Sequence, residues 1–255
     1  FVSCDDWLDK TPKDRLYPDV YFKTEDELRL FTNQFYNNLV PSAVDIYSES
    51  SDLIVKSDLM LEMSGQRIIP DEGNGWNFTA LRDINFYLQY SHNCTEVNAR
   101  NRYDGVARFF RAYFYFEKVK RYGDIPWYDK ALDSDDPELY KARDSREFVM
   151  QKMLEDLDFA IANLPKTKNA YVLTRWTALA LKSRVCLFEG TFRKYHGLED
   201  CEKYLNACVS ASETFMNESG YTLYKSGSTP YRDLFASINL QADEVIFGRD
   251  YEASL

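Results

Sequence analysis

The sequence predicts a mainly α-helical protein of stacked antiparallel helix pairs, with long loops and a short C-terminal strand. Three observations lead to this fold class. Apolar residues recur at the three- and four-residue spacing of amphipathic helices in several long segments. Capping residues precede these segments, and Gly or Pro follows them. The 255 residues include only 10 Gly and 8 Pro, too few for a sandwich or barrel of many short strands joined by close turns.

The first helix is predicted to begin after Thr24. Thr24 and Glu27 form a capping box, a hydroxyl followed three residues later by a carboxylate. Pro41 ends the segment. Residues 42–75 are less regular and indicate a long surface excursion, and the helical pattern returns over residues 78–90.

The longest helix is predicted from about Glu96 to Tyr122. Its apolar residues cover much of the helix circumference, so we expect burial on more than one side. Gly123 can adopt the left-handed conformation that ends a helix, and Pro126 cannot continue one.

Three more helices are predicted to begin near Ser145, Thr174 and Cys201. Pro165 ends the first of them, and Gly190 is expected to end or bend the second. The starts near residues 145 and 175 are about 30 residues apart, and Ala160 with Leu164-Pro165 weakly resembles the end of a tetratricopeptide unit, whose period is ~34 residues. The full motif is absent, but the pattern favours stacked helix pairs. The strand is predicted at residues 244–247, where the sequence reads Glu-Val-Ile-Phe.

Charge and motif content argue against several function classes. The 31 Lys and Arg against 41 Asp and Glu give a net charge of −10, so the chain lacks the basic field of nucleic-acid-binding proteins. No apolar run approaches the ~18 residues of a membrane helix. Nucleophile-elbow, P-loop and dinucleotide-binding motifs are missing. The only histidines, His92 and His196, are not at zinc-ligand spacing. We therefore expect no metal, no cofactor and no nucleic-acid partner.

Five segments carry a resemblance to a known family: SCDDWLD at 3–9, ARFFRAYFYF at 107–116, RYGDIP at 121–126, ALALKSRVCLF at 178–188 and DEVIF at 243–247. Each is a loose match alone, but all five occur in the family's order. Together they resemble the SusD/RagB family, outer-membrane nutrient-binding lipoproteins of Bacteroidetes.

The resemblance implies a SusD-like α-helical fold with tetratricopeptide-like repeats. Residues 1–23 are then a lipoprotein linker, and residues 24–255 are the helical domain. Family members are longer, so we expect this chain to be the N-terminal portion, lacking a C-terminal part. Cys4 is the implied lipidated residue, which anchors the protein at the cell surface in the outer membrane. The implied partner is a SusC-like TonB-dependent transporter, and the implied role is non-catalytic.

The resemblance also implies an oligosaccharide ligand, with a peptide as an open possibility. Sugar-binding sites combine exposed aromatic rings with amides and charges that fix hydroxyls. The candidates are Trp76 and Asn77, with Arg67 and Gln66 near them in sequence. The alternative for Trp76 is a structural role, packed under the next helix. Trp127 carries the same ambiguity.

Two other functions stay open at this point. One is a tetratricopeptide-type scaffold that binds a peptide in a helical groove, which needs no lipid on Cys4. The other is a helical glycosidase, which needs two carboxyl groups about 5–10 Å apart and has several adjacent acidic pairs to draw on.

Overall fold

Seven α-helices and two short 3-10 helices make up the regular structure of the described residues. The computed structural model describes residues 21–41, 61, 64–68, 75–237, 240–241 and 243–249. The α-helices are α1 Glu25–Leu39, α2 Thr79–Tyr90, α3 Val97–Tyr122, α4 Arg146–Asn163, α5 Arg175–Tyr195, α6 Cys201–Glu218 and α7 Pro230–Ala236. The 3-10 helices are Ser91–Asn93 and Pro137–Tyr140. The predicted mainly α fold class is confirmed, whereas Cys4 and most of the predicted linker lie outside the described residues.

Local capping chemistry places the helix ends. The Thr24 hydroxyl accepts from the Glu27 N–H at 3.3 Å, and the Glu27 carboxylate accepts from the Thr24 N–H at 3.1 Å. Ser145 caps α4, and Thr174 caps α5. Gly123 follows α3 with a φ of 71°, a conformation that glycine adopts without steric cost. These predicted boundaries are confirmed.

The helices stack in chain order. Each of α3, α4 and α5 packs on the helix that follows it, and α1 and α2 pack on each other and on α3. The long helix α3 is buried on several sides, as its sequence predicts. The stack of helix pairs therefore has α3 at its centre.

An aromatic cluster joins α1, α2 and α3. Phe35 lies edge-on to Tyr87 and Phe110, at centroid distances of 6.2 and 6.1 Å. Phe22 is fully buried in the same cluster, with its ring 5.5 Å from Tyr87. Its φ of 65° is unusual for a bulky residue. Burial of the whole ring offsets the cost of that backbone conformation.

A buried ion pair connects α3 to α4. Arg111 donates to both carboxylate oxygens of Asp156, at 2.6 and 2.8 Å. Arg111 also donates to the Asn85 side chain of α2 at 3.3 Å. The Asn85 amide nitrogen in turn donates to the Tyr128 carbonyl at 2.8 Å. This network fixes the loop after α3 against α2.

Gly190 is predicted to end or to bend α5, and the first alternative is wrong, because the helix continues to Tyr195. Gly190 is buried at a close contact between α5 and α6. A Cβ atom at this position would lie 2.7 Å from Cδ2 of Leu205. The glycine thus serves helix packing, which a local sequence rule does not detect.

The predicted strand at residues 244–247 is also wrong, because these residues form a turn and bends. The Val245 N–H donates to the Gln241 carbonyl at 2.9 Å, and the Gly248 N–H donates to Ala170 at 2.8 Å. A strand needs a neighbouring strand to pair with, and the described residues contain none. The backbone N–H groups of this segment instead donate hydrogen bonds within its own turn and to the loop before α5.

Candidate functional site

The four predicted ligand residues lie in two places. Gln66 and Arg67 are exposed in the short described stretch 64–68. Trp76 and Asn77 directly precede α2, and the side chain of Trp76 keeps 40% of its surface exposed. A cavity opens beside Trp76, and of the four predicted residues only Trp76 lines it.

A tight turn holds Trp76 in place. Gly75 has a φ of +83°, and its carbonyl accepts a hydrogen bond from the Lys118 ammonium of α3. A Cβ atom on Gly75 would lie 3.3 Å from the Tyr122 hydroxyl. Both the backbone conformation and the close approach therefore favour glycine here. The Asn77 side-chain oxygen accepts from the Thr79 N–H at 2.8 Å, which supports the start of α2.

The Trp76 ring is held at its sides but is not part of the core. Phe78 and Tyr122 lie edge-on to it, with centroids 5.2 and 4.9 Å away. The Arg143 guanidinium lies over the ring, 4.9 Å from its centroid. Trp76 thus has the partial exposure that a ligand contact requires.

The cavity beside Trp76 has a volume of about 300 Å³. Its walls come from the start of α2 and from the loop between α3 and α4, with Phe78, Arg82, Tyr128, Lys130 and Leu139 among the lining residues. This volume is at the lower end of the range for small-molecule sites. Mixed aromatic and polar walls of this kind suit a ligand with both C–H surfaces and hydroxyl groups.

Tyr140 is an exposed aromatic residue near the cavity wall, although it is not among the lining residues. It follows Leu139 directly, and 87% of its surface is exposed. The Leu139 carbonyl accepts from the Tyr128 hydroxyl at 3.3 Å, which ties this 3-10 helix to the cavity wall. A large exposed aromatic side chain one residue away from a lining residue is a second candidate for ligand contact.

The basic side chains around the cavity differ in how far their charge is neutralised. Lys130 is close to two carboxylates, Glu138 at 2.9 Å and Asp136 at 3.7 Å. Arg143 is exposed and makes no ion pair with any described residue. Burial lowers the pKa of the Lys118 ammonium, and the nearby positive charge of Arg121 lowers it further.

Trp127 belongs to the core. Only 5% of its surface is exposed, and its ring stacks on Tyr115 at a centroid distance of 4.3 Å. The Tyr115 hydroxyl accepts from the Tyr128 N–H at 2.7 Å. The structure therefore decides the ambiguity of Trp127 in favour of a structural role.

A larger cavity of about 770 Å³ lies between α3, α5 and the segment around residues 234–247. Most of its lining is aliphatic or aromatic, with Phe109, Tyr113 and Leu181 as examples. Its carboxylate Glu244 already accepts from the Tyr224 N–H at 2.6 Å. Thr177 and Arg184 also line it, so both cavities offer polar groups. We place the candidate site at Trp76, because an exposed indole borders that cavity and a guanidinium lies over its ring.

Two further findings bear on the classes of function that the described residues support. They contain no group of three or more His, Cys, Asp or Glu side chains arranged to hold a metal ion. In the same part of the chain, none of the helices combines the length and the apolar character that crossing a membrane requires.

Sequence reasoning missed Arg143 and Tyr140. Arg143 reaches Trp76 only because the loop before α4 folds back over the end of α3, so no sequence spacing indicates the contact. For Tyr140 the sequence gives only a weak indication, an aromatic residue that follows the acidic segment 133–138.

The chain is similar to known proteins over more than half of its length. A family model described as "Starch-binding associating with outer membrane" matches residues 36–175. The SusD-like protein P38 of Formosa agariphila is 24% identical over 205 residues, which cover 73% of this chain and 39% of the relative. The SusD-like protein P2 of the same organism is 27% identical over 213 residues, which cover 76% and 42%.

The fold has counterparts among solved structures. A SusD-like protein from Bacteroides fragilis NCTC 9343 aligns with a TM-score of 0.68 and 21% identity, over 96% of this chain and 48% of that chain. The chain thus spans less than half the length of each of these three proteins.

Proposed function

Because this chain belongs to the SusD-like family, we propose that it is part of a non-catalytic lipoprotein on the cell surface. In this proposal the protein captures an oligosaccharide and delivers it to a SusC-like TonB-dependent transporter in the outer membrane. The family description, starch binding in association with the outer membrane, supports both the ligand class and the location.

The main support for a saccharide ligand is the partly exposed ring of Trp76, which lines a cavity. Sugar rings present C–H surfaces that stack on aromatic faces, while their hydroxyls need donors and acceptors. Trp76 and Tyr140 offer the rings. The Asn77 amide nitrogen, which has no partner among the described residues, and Arg82 offer hydrogen bonds. Gln66 and Arg67 remain proposed contacts from the exposed stretch before the turn.

The decisive variant is Trp76→Ala, tested by calorimetric titration with a panel of oligosaccharides. Loss of a stacking anchor should weaken binding about tenfold or more, with little change in Tm, because the ring is only half-buried. Tyr195→Ala is the matched control, since this ring is 81% exposed at the end of α5, away from the cavity. It should leave both quantities unchanged.

The same two measurements separate ligand binding from a structural role. If Trp76→Ala lowers stability by ~3–5 kcal/mol, as truncation of a core aromatic does, the ring is structural and the proposed site is wrong. If the protein binds peptides and no saccharide, the scaffold alternative takes its place. Release of product from a bound saccharide would contradict the non-catalytic role.

Anchoring is tested on the native protein. Mass spectrometry should find acyl groups on Cys4 as the N-terminal residue, because stable membrane attachment needs more than one acyl chain. A native protein that keeps an unmodified Cys4 contradicts this part of the proposal. Co-purification with a TonB-dependent barrel protein tests the transporter partner.

A further inference from the structure

Three cationic side chains converge on the turn that carries Trp76. The Arg143 guanidinium lies 4.9 Å from the centre of the Trp76 ring. The Lys118 ammonium donates to the Gly75 carbonyl. Arg121 lies on the same side, with Nη1 3.6 Å from where a Cβ of Gly75 would stand. The positive charges come from α3 and from the loop before α4, so only the folded chain brings them together.

Two of these three cations, Arg143 and Lys118, have no carboxylate partner within the described residues. Glu117, the acidic neighbour of Lys118 in sequence, is paired with Lys120 at 2.7 Å. Lys130, across the cavity, is neutralised by Glu138 at 2.9 Å. The absence of a carboxylate partner for Arg143 and Lys118 among the described residues is notable in a chain with a net charge of −10.

The lowered pKa of Lys118 also indicates that positive charge is crowded at this turn. Burial lowers the pKa of its ammonium, and the charge of Arg121 lowers it further, against the opposite effect of Glu117. Cations that repel each other in a partly desolvated place attract an anion, which relieves the repulsion.

We infer that the Trp76 site takes an acidic saccharide, a sugar unit that carries a carboxylate or a sulfate group, with Arg143 as the residue that selects it. The inference rests on the proposed function, since it names the ligand class of the same site. The Arg143 guanidinium over the Trp76 ring carries five N–H donors in a planar fork. Two of these N–H groups can donate to two oxygens of a carboxylate or sulfate, while the sugar ring that carries the anion contacts the exposed part of the Trp76 ring.

Matched ligands test the inference on the full-length native protein. One pair is an oligogalacturonate and its methyl ester, which share a backbone and differ in carboxylate charge. The other is a sulfated carrageenan oligosaccharide and its desulfated form. The charged member of one pair should bind about tenfold or more tightly than its neutral partner, and the pair that does so identifies the anion. Its binding should weaken as NaCl is raised, because salt screens exposed charges.

The variant Arg143→Gln keeps a polar side chain and removes the charge. It should weaken binding of the preferred acidic ligand about tenfold and change binding of the neutral partner less than about twofold. Arg232→Gln is the control, because Arg232 is an exposed arginine on α7 and is not among the residues that line the cavity. It makes the same change in net charge and should bind like the unmodified protein.

The outcomes distinguish this inference from the proposed function. If neutral saccharides bind as tightly as acidic ones, and Arg143→Gln alters neither, the inference is wrong while saccharide binding stands. Equal losses in Arg143→Gln and Arg232→Gln would mean that overall charge, and not this site, attracts the ligand, which also overturns it. If no saccharide of either pair or of a wider panel binds, the proposed function itself fails.

Discussion

Gly190→Ala tests the closeness of the contact between α5 and α6. The new Cβ would lie 2.7 and 2.8 Å from Cδ2 and Cγ of Leu205 and 3.1 Å from the Leu205 backbone nitrogen. The leucine side chain can rotate away, but the backbone nitrogen moves only if α6 moves. Overpacking of this kind costs about 1–3 kcal/mol, and the better helix propensity of alanine returns about 1 kcal/mol. We expect the free energy of unfolding to fall by about 1 kcal/mol.

Gly105→Ala is the matched control, a glycine in the middle of α3. A Cβ there would meet Cδ2 and Cγ of Leu164 at 3.4 Å, which is ordinary contact. This variant should gain close to the ~1 kcal/mol of helix propensity. The two substitutions should therefore differ by about 2 kcal/mol in urea unfolding.

A second substitution shows whether Leu205 causes the loss. In a Leu205→Ala background, Gly190→Ala should cost less than in the native chain, because the obstructing side-chain carbons are gone. If Gly190→Ala stabilises the protein as much as Gly105→Ala does, the close approach of α6 to α5 is not a packing constraint, and the reasoning is refuted.

Three further predictions concern the interior. Asp156→Asn should lower the free energy of unfolding by about 3–5 kcal/mol, because it leaves the buried Arg111 guanidinium without its counterion; an effect as small as that of Asp26→Asn at an exposed pair would contradict this. Trp127→Ala should cost ~3–5 kcal/mol in the same assay, since that ring is core, and an unchanged unfolding midpoint would refute the assignment. Burial raises the pKa of the Cys186 thiol to about 12, so a thiol reagent at pH 8 should label it only after unfolding. In the unfolded chain the thiol loses its proton near pH 9, whereas in the folded protein it keeps it until about pH 12. Cys186 should therefore lower the free energy of unfolding as the pH rises from about 9 towards 12. Rapid labelling of the native protein would contradict both expectations.

The sequence predicts the helix boundaries well because their causes are local. Thr24, Ser145 and Thr174 each cap a helix through a hydroxyl that accepts a backbone N–H within three residues. Gly123 ends α3 through its own backbone freedom. Such interactions depend only on neighbours in the chain, so a pattern in the sequence suffices to identify them.

The errors and omissions come from contacts between distant segments. Gly190 has the local signature of a helix end, yet its role is set by Leu205 on the next helix. Residues 244–247 have strand-like composition, but strand formation depends on a partner that the described residues do not provide. The placement of Arg143 over Trp76 is likewise a tertiary event. Sequence reasoning thus finds the aromatic ring of the candidate site and misses the charge beside it.

The order of the helix stack has a consequence for local opening. α3 packs on α1, α2 and α4, whereas α6 packs mainly on α5. Detaching α6 therefore breaks one main interface, while opening α3 disrupts the whole core. In a chain of nearest-neighbour interfaces, fluctuations begin at the end elements. Backbone amides of α6 should exchange their hydrogens with solvent well before those of α3. Among the described helices, the slowest to exchange is then α3, whose C-terminal end contacts the Gly75–Trp76 turn. The candidate site is therefore attached to the helix that we expect to open least often.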